Sequence, residues 1–124
     1  MERKPGSYRS PDPKTRLLSI IPAEKHSIWF RQVWEDVKGA STRLHPAPFP
    51  EELVNRIIRM FSFVGDTVLD PFVGTGTTMV SAARAGRNSI GVEIDPAYWR
   101  LARNRLSKEL PSMIAKRTTE FSKW

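Results

Sequence analysis

The chain has 124 residues, no cysteine, and 20 basic against 13 acidic side chains, for a net charge of +7. That length suits one domain or less and falls short of a complete doubly wound enzyme. The absence of cysteine excludes disulfides, thiolate metal sites and a thiol nucleophile, and no apolar run is long enough to span a bilayer, so a cytoplasmic chain without a membrane partner is expected.

The charge is uneven: 9 basic and 5 acidic residues over 1–44, 8 and 7 over 45–110, and 3 and 1 over 111–124. Residues 1–16 place Pro5, Gly6, Pro11 and Pro13 among Arg and Lys, which predicts a basic extended arm, suited to a path along DNA and equally to an unstructured tail. Leu17–Ile21 reads as a short strand or docking segment within a region, 17–44, that precedes the main domain. From Pro22 to Lys38 the pattern is helical, with Trp29, Phe30, Val33, Trp34 and Val37 on one face. That face suits DNA or a partner, and also plain packing on the domain. Over 39–50 three prolines, Pro46, Pro48 and Pro50, stiffen a loop. A second helix follows Pro50, with Glu51 and Glu52 in its first turn and Leu53, Val54, Ile57, Ile58 and Phe61 as its apolar stripe.

Gly65 and Asp66 turn the chain into a strand at 67–70, and Gly74 and Gly76 then permit a tight turn into a helix beginning at Thr77. A second strand, 89–94, carries Glu93 about twenty residues downstream, where nucleotide folds place the acid that accepts ribose hydroxyls. The third small residue of a dinucleotide fingerprint is replaced by Met79, and no Gly-Lys-Ser/Thr is present for a triphosphate. Asp70 suits an ammonium group, while the amides and hydroxyls of Thr75–Thr78 suit a carboxylate at a helix start. A nucleoside joined to an amino acid, S-adenosylmethionine, satisfies both ends. The same glycines would also serve a plain strand-to-helix turn. Asp95 and Pro96 open a last helix, with Tyr98, Leu101, Ala102 and Leu106 inward, and Arg100, Arg103, Arg105 and Lys108 outward, stopped by Pro111. The basic tail, 111–124, carries no assignable element. His26 lacks a second ligand at metal spacing.

Three stretches in order, His-Pro-Ala-Pro-Phe-Pro at 45–50, Asp-Pro-Phe-Val-Gly-Thr-Gly-Thr-Thr at 70–78 and Gly-Val-Glu-Ile-Asp-Pro at 91–96, resemble the S-adenosylmethionine-binding half of the beta-class DNA amino-methyltransferases. The resemblance is firm over 45 to about 106 and implies a partial Rossmann-like α/β methyltransferase fold with its cofactor domain at 45–110. It implies that His45, Pro46 and Phe49 close over the methionine end. Asp70, Pro71, Phe72, Gly74, Gly76, Thr77 and Thr78 would surround the amino-acid moiety, Glu93 would hold the ribose and Ile94 would border the adenine, with Pro96 and Tyr98 as further neighbours.

The family's catalytic loop, an acid, serine or asparagine followed by Pro-Pro and an aromatic, is missing: Asp12-Pro13, Asp70-Pro71 and Asp95-Pro96 all lack the second proline. No catalytic residue is therefore assigned. In the beta class that half comes first, so Met1 would begin after it. Two or three strands form an incomplete sheet, which predicts an unpaired inner edge and an apolar face for a complementary catalytic half or self-association. DNA is the implied substrate, through adenine N6 or cytosine N4. The alternatives are a non-catalytic cofactor- or DNA-binding module or regulatory subunit and, less favoured by these motifs, a small-molecule methyltransferase.

Overall fold

The computed structural model describes residues 8–39 and 49–109, with the backbone of 119–122. Elements follow in the order α1 (Pro13–Leu18), α2 (Ala23–Trp29), α3 (Glu51–Phe61), β1 (Thr67–Asp70), α4 (Thr77–Arg84), β2 (Asn88–Val92), α5 (Pro96–Glu109) and β3 (Thr119–Ser122). The sheet is parallel with order β1-β2-β3, Leu69 lying opposite Ile90 and Ile90 opposite Glu120. Among the described residues no helix is long and apolar enough to cross a membrane.

The central unit, β1-α4-β2, forms where local signals demand it. Gly76 stands at the N-cap of α4 with φ 82°, Gly86 turns the chain beyond the helix with φ 74°, and Asp95 accepts from Ala97 N–H at 2.7 Å as α5 begins. Positive φ costs glycine little and other residues much, so these turns are written locally. Helix α4 is the hub of the core. Val73, Met79, Val80, Ala83, Ala102 and Leu106 form one cluster toward α5, and Val54, Ile58 and Ala82, joined by Val68 and Ala85, form another toward α3.

Burial alternates along the strands: Val68 and Asp70 are half-buried and Ser89 and Gly91 buried, while Thr67, Leu69 and Ile90 are exposed. One sheet face is thus covered by α4. On the other, Leu69 is 65% and Ile90 38% exposed, unusual for a parallel sheet, whose two faces are ordinarily covered. Among the described residues β1 pairs only with β2, so its outer edge is open. The expected incomplete sheet is present, with β3 added from inside the tail, where the sequence assigns no element.

The N-terminal region departs from expectation. Rather than staying extended to residue 16, the chain enters α1 at Pro13, because proline is tolerated in a first helical turn and Asp12 caps it, accepting from Lys14 and Thr15 N–H at 3.0 and 3.1 Å. Leu17–Ile21 forms no strand; it docks, with Ser19 Oγ accepting from Val64 N–H at 2.8 Å and Ile20 O accepting from Arg59 at 3.2 Å. The predicted helix to Lys38 stops at Trp29. The Trp34 indole donates to Trp29 O at 2.8 Å, taking the carbonyl that Val33 N–H would use in a continuing helix.

Arg56 of α3 then holds this segment. Its guanidinium donates to Asp36 at 3.0 and 2.6 Å and to Glu52 at 2.9 Å, and lies over the rings of Trp29 and Trp34. Arg56 is buried, although arginine is ordinarily solvated, whereas Ile57 and Phe61, expected inward, are exposed. The face of α3 that turns inward is the one that sets its guanidinium beside two indoles.

The arm is tied at Arg9, which donates to Asp66 at 2.7 Å, while Phe63 N–H donates to the same carboxylate at 2.9 Å. The Arg9 hydrogen bond, aided by Phe63, holds the Asp66 carboxyl below its ordinary value against the opposing effect of burial. A depressed folded value stabilises the fold above the unfolded pKa of about 3.9, and that contribution is lost as pH falls through the folded value. Arg9→Ala is therefore expected to lower Tm at pH 7, with the gap to wild type closing as pH falls below about 4. Thermal melts from acid to neutral pH check this; a constant gap would mean that the contact acts through packing.

Candidate functional site

The carboxyl ends of β1 and β2 lie side by side, and Asp70, the glycine turn and Glu93, singled out from the sequence, meet there. Asp70 ends β1 and accepts from Phe72 N–H at 2.9 Å, setting the first bend of the turn. Val73 N–H donates to Val92 O at 3.1 Å, tying the turn to the end of β2, and Gly76 N–H donates to Val73 O at 3.0 Å. Gly74, with φ 54°, and Gly76 carry the left-handed backbone that this path requires.

Glu93 stands one residue beyond β2, which ends at Val92 rather than at the predicted residue 94. Its carboxylate is gripped on both oxygens: Gly74 N–H donates to Oε2 at 2.8 Å and Asp95 N–H donates to Oε1 at 2.9 Å. One acid thus fastens the glycine turn to the entry of α5. A carboxylate offers about four lone-pair directions, so two remain for a ligand's hydroxyls.

Around this clamp the surface is apolar and open, with Phe72 86% and Ile94 84% exposed. Pro71 is exposed, Thr78 half-buried and Thr77 buried. Phe49 is exposed just ahead of α3, whereas His45 and Pro46 lie outside the described residues. Pro96 is exposed at the start of α5 and Tyr98 half-buried.

The donor set fits a nucleoside bearing an amino acid. A carboxylate with free acceptor directions suits a ribose diol, exposed Ile94 offers apolar contact to a base, and the start of α4 presents amides where negative charge is favoured. Met79 is fully buried beneath the turn, filling the space that a dinucleotide fingerprint keeps for a small residue.

Two features escape a reading of the sequence. Gly91 appears there as part of a motif without a reason; a Cβ built on it would overlap Val73 Cγ2 and lie 2.9 Å from the Met79 Cε and Sδ atoms. Arg105, assigned to the outer face of α5, faces inward and donates to Thr77 Oγ1 at 3.0 Å and to Glu109 at 2.6 Å. Its three-residue spacing from inward-facing Ala102 is the available signal.

Comparison with known proteins places the chain in a family. The family described as DNA methylase, of the N6/N4 type, matches residues 2–104. The chain is 50% identical over 98 residues to the type II methyltransferase M.MjaI of Methanocaldococcus jannaschii, covering 74% of this chain and 31% of that protein. It is 48% identical over 104 residues to the type II methyltransferase M.MthZI of Methanothermobacter thermautotrophicus, covering 78% of this chain and 29% of that protein. The crystal structure of a candidate DNA modification methylase of Thermus thermophilus, complexed with S-adenosyl-L-methionine, superposes with a TM-score of 0.82 at 48% identity, covering 98% of this chain and 46% of that one. The chain thus spans about a third of the curated relatives and under half of the solved one. Its partial Rossmann-like α/β fold is that of the matched structure, and with the family match running from residue 2 to residue 104 the chain belongs to the N6/N4 DNA methylase family.

Proposed function

We propose that this chain is the S-adenosylmethionine-binding portion of a DNA amino-methyltransferase. The observation that carries the reading is the Glu93 clamp: a carboxylate held by Gly74 and Asp95 N–H at the carboxyl ends of adjacent parallel strands, with acceptor directions to spare. In this reading Glu93 takes the ribose hydroxyls, Ile94 borders the adenine and Phe72 lies beside the amino-acid moiety. Asp70 meets the ammonium group, and the backbone from Gly74 through Gly76 to Thr78 meets the carboxylate. Pro71 shapes the turn, and His45, Pro46 and Phe49 cover the methionine end.

The reaction transfers methyl from the sulfonium sulfur to an exocyclic amine, adenine N6 or cytosine N4, of an extruded base. The nitrogen forms a bond to the methyl carbon and loses a proton, and S-adenosylhomocysteine departs. These 124 residues contribute cofactor placement. The groups that accept the amino hydrogens and stack on the base come from a complementary catalytic segment, whether on further chain or on a partner. The open β1 edge and the adjoining Leu69 and Ile90 support a docking role for that face, by strand addition beside β1 and coverage of the bare side. Self-association through the same face is the competing occupant. DNA is the macromolecular substrate, and the cytoplasm is the compartment in keeping with it.

The test has two stages. Calorimetric titration of the chain with S-adenosylmethionine is expected to give saturable binding. Methyl transfer to DNA is then expected only when a segment carrying the acid-Pro-Pro-aromatic loop is added. Absence of binding by the folded chain would overturn the pocket; binding without restored transfer would leave a cofactor-binding module.

A further inference from the structure

Arg105 lies at the junction of three elements. From α5 its guanidinium donates to Thr77 Oγ1 at 3.0 Å, reaches Thr75 O at 3.5 Å, and meets Glu51 of α3 at 3.4 Å, while Glu109, one helical turn on, braces it at 2.6 Å. Arg84 of α4 bridges the same two acids, bonding Glu51 and, at 2.7 Å, Glu109. Ala102, three residues before Arg105, abuts the turn as well: a Cβ on Gly76 would lie 3.0 Å from Ala102 Cβ. Helix α5 therefore seats the glycine turn by contact at Ala102 and by hydrogen bonds at Arg105.

The two bonded oxygens belong to the cofactor end of the turn. Thr75 O and Thr77 Oγ1 are acceptors of the segment whose amides would meet the cofactor's carboxylate. With those acceptors directed to a cation on α5, they do not oppose an anion on the ligand side, and the Thr77 hydroxyl proton remains available to donate. Glu51 and Glu109 together balance the Arg105 and Arg84 guanidinium charges, so the contribution of Arg105 lies in geometry more than in net field.

We infer that Arg105 is a positioning residue for the amino-acid end of the cofactor, holding the 74–77 turn in the conformation that presents its donors and coupling that turn to the start of α3. The inference rests on the S-adenosylmethionine reading above. Lysine keeps the charge but cannot span Thr77, Glu51 and Glu109 together, so Arg105→Lys and Arg105→Met are expected to act alike.

The full chain and both variants are titrated with S-adenosylmethionine and with 5′-methylthioadenosine, which keeps adenine and ribose but lacks the ammonium and carboxylate. The expected result is about tenfold weaker binding of S-adenosylmethionine, the loss of about one hydrogen bond's worth of orientation, with 5′-methylthioadenosine affinity unchanged. Thermal melts run alongside confirm folding. Equal weakening of both ligands, no change in either, or loss of fold in both variants would overturn the role. A wild-type chain that binds neither ligand would instead overturn the pocket, and this role with it.

Discussion

Glu93→Ala is expected to lower affinity for S-adenosylmethionine by about 100-fold or more, the loss of two hydrogen bonds to a charged acceptor. Alanine removes the acceptors for the ribose hydroxyls, and it also releases Gly74 and Asp95 N–H, which the carboxylate holds at 2.8 and 2.9 Å. The first loss falls on the bound state, where the diol has no partner; the second falls already on the ligand-free chain, where the turn that seats the amino acid is freed from the α5 entry. Glu93→Gln separates them. Its amide oxygen can keep one backbone donor while its nitrogen cannot accept the other, so a loss of about tenfold is expected. Calorimetry gives the affinities. The two freed N–H groups can reach water, so Tm should fall only by the equivalent of about 1 kcal/mol for Glu93→Ala. Unchanged affinity in the alanine variant would reduce Glu93 to a structural staple and remove the main support for a nucleoside pocket.

The placement of that residue beside the glycine turn is legible because its signal is local: an acid at the end of a second strand, about twenty residues beyond the turn, is where nucleotide folds bring the two together. The boundaries of β1, α4 and α5 are legible for a similar reason, since Gly65-Asp66, Gly74 to Thr77, Gly86 and Asp95-Pro96 punctuate the chain without help from distant residues. Where long-range partners decide, the sequence is silent. The periodicity through Val33 and Trp34 is helical, yet the Trp34 indole takes the Trp29 carbonyl and Arg56 holds Asp36 from another helix, so the helix ends. Strand β3 has no apolar alternation to announce it and exists by pairing with β2. Arg105 reads as surface charge because charge is usually solvated; its partners Thr77 and Glu51 are far away in sequence. At α1 the signal is present but cuts both ways: Pro13 reads as a breaker on its own, although Asp12 before it makes it a helix start.

Gly91→Ala is expected to destabilise the fold by about 1–3 kcal/mol, the usual cost of overpacking a core, and Gly91→Val by more. Gly91 does not have a positive φ, so the penalty is steric and not conformational. Of the two neighbours that a Cβ would strike, Met79 can swing its thioether aside, but it is fully buried against the sheet and has little room. Val73 cannot yield cheaply, because its N–H is bonded to Val92 O on the same strand as Gly91. A shift of about 1 Å or more would be needed to restore normal contact at Val73, and it would move the segment between Phe72 and Gly74 away from Glu93. Stability and cofactor affinity should therefore fall together. A drop in Tm of roughly 5–15 °C is expected for Gly91→Ala, scaled from the stability loss. Val73→Ala in the same chain should recover part of it, with a coupling of about 1 kcal/mol in the double-mutant cycle. Additive losses in that cycle, or a Gly91→Ala variant that melts with wild type, would mean that the turn is not braced on β2 through Val73, and the link between core packing and the Glu93 clamp would have to be sought elsewhere.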